Sequence, residues 1–161
     1  MQWNAVELSE PKSIRATVEV VRALRRRIGE RSLYGDPEWI LNSSAEGDSR
    51  PLILVCRDGD ETIGYLPLRD ESWALPYRFG EIKLLSYPLR RWLAPEPPVI
   101  DSGRSGEEDV QKILGSLFCV LSEQLGRKQA IFMQCVRLGS ALHEFLTGSD
   151  EARSTFRIFP Y

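Results

Sequence analysis

Apolar positions along the chain alternate between the two-residue period of strands and the 3.6-residue period of helices. Pro51-Leu-Ile-Leu-Val-Cys-Arg57 and Thr62-Ile-Gly-Tyr-Leu-Pro-Leu68 are apolar runs of strand length on either side of an acidic turn that contains Asp58-Gly59. Glycine accepts the positive φ of tight hairpin turns, so the pair predicts two antiparallel strands. Every position from Leu52 to Cys56 is apolar, which predicts that both faces of the first strand are covered. Gly64 predicts a bulge or a close backbone approach, and Pro67 predicts that pairing loosens there.

Upstream, Ile14, Val18, Val21, Leu24 and Ile28 recur at helical spacing between a capping Ser13 and Gly29. Asp36 followed by Pro37 predicts a second, short helix that carries Trp39 toward the core. Residues 43–50 read as polar loop. Downstream, residues 69–79 read as irregular and 79–87 as a third strand with Ile82 and Leu84 on one face. The cluster Pro95, Pro97 and Pro98 leads into Val99-Ile100, a short edge strand. Ser105-Gly-Glu-Glu108 is a capping box. Behind it Val110, Ile113, Leu114, Leu117, Phe118, Leu121 and Leu125 form the cleanest helical stripe of the chain, ended by Gly126. Residues 130–136 then read as a buried strand, 138–146 as a helix and 155–159 as a last strand. The fold class is therefore mixed α/β (α+β), a mostly antiparallel sheet flanked by helices. One parallel strand–helix–strand step is expected, from Val99 through the striped helix to Ala130.

Length and composition fit one domain over residues 1–161: N-terminal helices at 13–45, sheet and central helix at 51–136, and a C-terminal helix and strand at 138–161. A net charge of −2 supplies no global basic field for nucleic acid. No apolar run reaches the length of a spanning helix and the N-terminus lacks a signal-peptide pattern, so neither membrane insertion nor export is expected and the sequence points to the cytoplasm. Cys56, Cys119 and Cys135 sit in apolar contexts and read as reduced, buried thiols, with no metal site. His143, the only histidine, falls off its helix's apolar stripe and reads as a surface residue.

Three groups of residues invite chemistry. Arg15, Arg22 and Arg26 share a helix flank, with Arg25 and Arg27 nearby, a candidate site for phosphate or an acidic partner. Trp73, Tyr77, Tyr87 and Trp92, interleaved with arginines, are candidates for lining a substrate groove for a sugar, an acyl chain or a peptide. Glu81 and Asp101 are candidate bases if a substrate lies against them.

The element order, a hairpin meander followed by strand–helix–strand–helix–strand, resembles the GNAT acyltransferases. Leu33-Tyr-Gly-Asp-Pro-Glu-Trp-Ile40 is similar to the F-x-S-P-E-W-L segment of the CelD/BioF-like, FemAB-related branch, and the 51–68 strand pair is similar to that branch's pair with its G-x-x-P-L end. The resemblance implies a GNAT-like fold and an acyl-CoA-dependent N-acyltransferase. It also implies acetyl-CoA or another acyl-CoA as cofactor, and an organisation in two GNAT-like halves of which this chain matches the N-terminal one. GNAT enzymes hold the cofactor's pyrophosphate at the start of the central helix, which here is Asp101-Ser-Gly-Arg-Ser-Gly-Glu-Glu-Asp109, so Gly103, Arg104 and Gly106 are the cofactor-binding candidates. Glu107, Glu108 and Asp109 place carboxylates where the phosphates would sit, so cofactor binding by this chain alone is not expected. Two functions follow: half of an acyltransferase, weakly active or inactive alone, or a non-catalytic module for a glycan, lipid or protein partner. An unguarded 155–159 strand predicts pairing with a second GNAT-like half or a homodimer.

Overall fold

The computed structural model describes residues 1–8, 11–43, 48–103, 106–126, 129–149 and 152. Its elements run β1 (Gln2–Glu7), α1 (Pro11–Ile28), α2 (Pro37–Ser43), β2 (Arg50–Asp58), β3 (Glu61–Phe79), β4 (Ile82–Ala94), β5 (Val99–Ile100), α3 (Glu107–Gln124), β6 (Gln129–Met133) and α4 (Ala141–Gly148). The sheet order is β1-β2-β3-β4-β6, with β5 paired to β3. All pairings are antiparallel except β4 with β6. The fold is thus the expected mixed α/β arrangement, with one parallel pair and helices on both sides of the sheet.

The alternation of side chains along β2 and β3 sorts the core into two layers. Leu52, Leu54, Cys56, Leu66 and Leu68 point to the layer shared with Ile113, Leu114, Leu117, Phe118 and Leu121 of α3 and Leu142 of α4. Ile53, Val55 and Tyr65 point the other way, onto Val21 and Leu24 of α1. This explains why the 52–56 run is apolar throughout. Burying each of these leucines contributes about 1.5–3 kcal/mol. At the edge, Trp3 locks β1 to α3 by donating its indole N–H to the carbonyl of Ile113 at 3.1 Å.

Several expectations are corrected. Residues 69–79 are a continuation of β3, not irregular, because β4 is long enough to pair with them from Arg69↔Leu93 to Phe79↔Ile82. The parallel partner of β6 is β4, at Arg90↔Gln129 to Ala94↔Met133, and Val99-Ile100 instead pairs antiparallel with Gly64-Tyr65. The N-cap of α3 is Gly106, with no side-chain cap bond, and Ser105 lies outside the described residues. Ile40 of α2, not Trp39, is fully buried; Trp39 is half-buried and packs edge-on against Tyr34 at 4.9 Å. Cys56 is buried, and burial pushes its thiol up to about 11, but Cys119 and Cys135 are exposed. His143 is half-buried in the first turn of α4, where its backbone N–H donates to the capping Ser140 hydroxyl. The strand expected at 155–159 lies outside the described residues.

The hairpin, the Asp36 cap and the Gly64 reading agree with the structure. Asp36 accepts from the backbone of Glu38 at 2.9 Å. At Gly64 a Cβ would stand 3.0 Å from the carbonyl oxygen of Val99 and 3.5 Å from the Trp3 ring, so the close approach of β5 requires glycine. The register between β2 and β3 shifts beside it, at Cys56/Arg57.

Candidate functional site

Proline positions the site. On β3, Tyr65 pairs with Val99 of β5 and Arg69 pairs with Leu93 of β4, and between these two pairings the ladder is interrupted. Pro67 lies on one side of the gap and Pro95, Pro97 and Pro98 on the other, all residues without an N–H to give to a ladder. The chain therefore bulges out at Glu96, and the gap opens toward the turn that joins α1 to α2.

A cluster of polar side chains fills that opening. Tyr65, fully buried, accepts a hydrogen bond at its hydroxyl from Arg25 Nη1 at 2.9 Å, and Arg25 Nη2 donates to the carbonyl of Ser32 at 2.5 Å. Ser32 Oγ donates to Glu96 Oε1, and Glu30 Oε1 accepts from the Ser32 backbone N–H at 2.7 Å. Gly35 closes the cluster: a Cβ there would lie 2.7 Å from Arg25 Nη1 and 3.0 Å from both Glu96 Oε2 and the Tyr65 hydroxyl. The segment 30–36 thus lies close against these groups, and a larger residue at 35 would displace the Arg25, Glu96 and Tyr65 side-chain ends.

Burial and the nearby Glu30 carboxylate raise the Glu96 carboxyl above its ordinary value, against the opposing pull of Arg25 and the Gly35 backbone N–H. Burial likewise pushes the Tyr65 phenol up to about 12, so it stays protonated. A half-buried carboxyl with a raised pKa beside a phenol and a guanidinium is the equipment of a proton acceptor and an anion clamp. Next to it lies an open cleft of about 450 Å³ lined by Arg22, Arg25, Arg26, Arg31, Glu30, Asp36 and Gly29. Arg22 forms an ion pair with Glu38, and Arg26 is exposed.

The residues singled out in the sequence are distributed differently. Asp101, 4 % exposed, is held at 2.8 Å by Arg27, which also binds Glu61 at 2.6 Å and the carbonyl of Thr62; it is a structural anchor for the start of the α3 approach. Glu81 is exposed in the β3–β4 turn. Arg15 is exposed and is not among the residues lining the cleft. The four aromatic candidates do not form one groove. Trp92 is buried in the α3 layer, Trp73 is half-buried against Phe132 at 4.9 Å, and Tyr77 and Tyr87 stand exposed on the hairpin arms. At the cofactor end Gly103 and Gly106 are exposed and Arg104 lies outside the described residues. Glu107, Glu108 and Asp109 occupy the first turn of α3, so a pyrophosphate would meet three carboxylates there; these residues do not fit an acyl-CoA. Among the described residues no group of His, Cys, Asp or Glu is arranged to hold a metal ion, and no helix is long and apolar enough to cross a membrane.

Sequence reasoning placed Arg25 only near the arginine flank of α1 and passed over Ser32, Tyr65 and Glu96. Their signals were present: an arginine on the apolar side of an amphipathic helix, a tyrosine inside an otherwise aliphatic strand, and a glutamate enclosed by prolines.

No protein-family model matches the sequence, and no curated protein matches it. Solved structures do. The chain is similar to a probable acetyltransferase at 10 % identity and a TM-score of 0.50, covering 99 % of this chain and 92 % of that one. It is also similar to a ribosomal-protein-alanine N-acetyltransferase from Brucella melitensis biovar Abortus 2308, at 11 % identity and a TM-score of 0.48 over 99 % of this chain and 96 % of that one. An aminoglycoside N-acetyltransferase solved in complex with CoA matches at 14 % identity and a TM-score of 0.42, over 98 % and 97 %. At 10 % identity the first of these likenesses shows a shared mixed α/β fold and nothing finer.

Proposed function

We propose that this chain is the acceptor side of an acyl-CoA-dependent N-acyltransferase, the N-terminal half of a CelD/BioF-like protein whose second GNAT-like half holds the acyl donor. The observation that carries the reading is the contrast between the two ends of the fold. The break in the β3 ladder holds a built, partly buried proton-accepting cluster, whereas the start of α3 holds three acids in place of an anion site.

In this reading an acceptor amine enters from the arginine-lined cleft, and its acidic groups are bound by Arg26 and Arg31. Glu96 accepts the proton that an ammonium must lose before it becomes nucleophilic, for which its raised pKa brings it nearer to neutral pH. The Ser32 hydroxyl orients that carboxylate, Arg25 holds the Ser32 carbonyl, and the Tyr65 hydroxyl holds Arg25. Water is limited by the 30–36 segment folded across the site. The resemblance of residues 33–40 and 51–68 to the CelD/BioF-like branch supports the two-half organisation.

Thermal unfolding of the isolated chain with added acetyl-CoA tests this. Ligand at about one hundred times its dissociation constant contributes roughly 2.7 kcal/mol. The expected result is no movement of the melting temperature up to millimolar acetyl-CoA. A saturable upward shift overturns the two-half reading and makes the chain self-sufficient.

A further inference from the structure

Beyond the sheet's covered part, β3 and β4 continue as a two-stranded ribbon from Ala74 to Pro88. Every residue whose burial is described in this ribbon is exposed. Register and alternation sort its side chains. Trp73↔Leu89, Leu75↔Tyr87, Tyr77↔Leu85 and Phe79↔Ile82 are cross-strand pairs two residues apart along β3, so they share one face. Ser72↔Arg90, Ala74↔Pro88, Pro76↔Ser86 and, on β3, Arg78 make the other face. One face carries an apolar stripe and the other small, polar and cationic side chains, with Leu84, 56 % exposed, at the register shift between Tyr77 and Arg78.

The stripe is bare. Leu75, Tyr77, Phe79, Ile82, Leu85 and Tyr87 are 45–76 % exposed. At its base it begins against Phe132, Trp73 and the Arg91 guanidinium, which lies 5.4 Å over the Trp73 ring and is neutralised by Glu71 at 2.5 Å. Beyond that base, none of the paired residues from Trp73↔Leu89 to Phe79↔Ile82 on this face is charged. An isolated two-stranded hairpin is at best marginally stable in water, and monomers rarely expose apolar patches beyond a few hundred Å². Six large side chains exposed to this degree, the aromatic ones of about 150–250 Å² each, give this stripe several hundred Å², approaching the ~800 Å² that each partner contributes to a standard interface.

We infer that the apolar face of the β3–β4 hairpin is a self-association surface, on which the hairpin of a second copy of this chain packs face to face. A second copy brings the matching uncharged, aromatic-rich stripe, and a two-fold arrangement buries both at once. The inference is independent of the proposed chemistry, because the stripe begins on the far side of Trp73 from the Glu96 gap and uses none of its residues.

Sedimentation velocity across low to high micromolar concentration is the test, with three samples. The wild type is expected to move from monomer to dimer within that range. The double variant Tyr77→Ser/Leu85→Ser, on the stripe, is expected to remain monomeric with an unchanged far-ultraviolet circular dichroism spectrum. Arg78→Ser, on the opposite face of the same ribbon, is expected to dimerise like the wild type and serves as the folding control. A monomeric wild type at high micromolar concentration overturns the proposal, as does a stripe variant that still dimerises. A wild type that is monomeric in solution but co-sediments with vesicles of phosphatidylcholine and phosphatidylglycerol, in a way the stripe variant does not, also overturns it by assigning the face to a lipid surface.

Discussion

The same two strands, β3 and β4, have opposite surroundings at their two ends. At the base, Leu66 and Leu68 are fully buried and Trp92 and Leu93 nearly so, because α3 and α4 lie on one face and α1 and α2 on the other. At the far end, Leu75 and Leu85 are about half exposed with no helix on either side. Both ends are rich in apolar residues and both pair antiparallel, the far end with a register shift between Tyr77 and Arg78. The difference shows that strand formation here follows the cross-strand pairing, while burial follows the reach of the helices, and α1 and α3 are simply too short to cover a 19-residue strand. Between the two ends sits the proline-marked gap, where pairing fails and side-chain chemistry takes its place.

The comparison is broken most strongly at the covered end. Leu117→Ala opens a cavity where α3 meets the sheet, and should cost about 2–5 kcal/mol, read from denaturant unfolding. A loss under 1 kcal/mol would mean that the helix is not what holds the base of the sheet.

The gap should respond less but with a pH signature. Tyr65→Phe leaves the buried Arg25 Nη1 without its acceptor, at an expected cost of about 1–3 kcal/mol at neutral pH. The sign at alkaline pH follows from the raised phenol. Folded Tyr65 keeps its proton up to about 12, whereas the unfolded phenol releases it near 10, so its stabilising share is intact below 10 and is lost as pH rises through 12. The buried Cys56 thiol, raised from 9 to about 11, adds a loss of the same sign. Tyr65→Phe should therefore flatten, without abolishing, the alkaline decline in melting temperature; an identical decline would place the titration elsewhere.

At the bare end, Tyr77→Ser should change the unfolding free energy of dilute protein by no more than about 0.5 kcal/mol, measured well below the concentration at which chains associate. A loss comparable to that of Leu117→Ala would show that the hairpin is covered within its own chain.

The covered base was readable because period and packing coincide: the 52–56 run, the α3 stripe and the Gly64 contact all follow from side chains that a sheet and a helix must bury. The ribbon was not. Residues 69–79 carry Asp70, Glu71, Arg78 and Pro76 among their rings, and that mixture hides a strand whose face never becomes core. The aromatic positions were visible as chemistry-bearing residues, yet whether Trp73, Tyr77, Tyr87 and Trp92 share a groove depends on parity along two strands whose register is set by a turn at Gly80. The site residues were hidden for another reason. Arg25, Ser32, Tyr65 and Glu96 come from four separate stretches, and only the failure of the ladder at Pro67 and Pro95 brings them together. Each was unremarkable alone.

The account stands on Glu96 as a carboxyl tuned by its place in that gap, and its ionisation can be followed directly by carbon-13 NMR titration of the glutamate carboxyls. The account predicts a Glu96 midpoint above that of ordinary glutamates, falling when Glu30→Gln removes the neighbouring carboxylate. A midpoint at or below the ordinary range, or one indifferent to Glu30→Gln, would contradict it and reduce the cluster to a structural tie between α1 and the sheet.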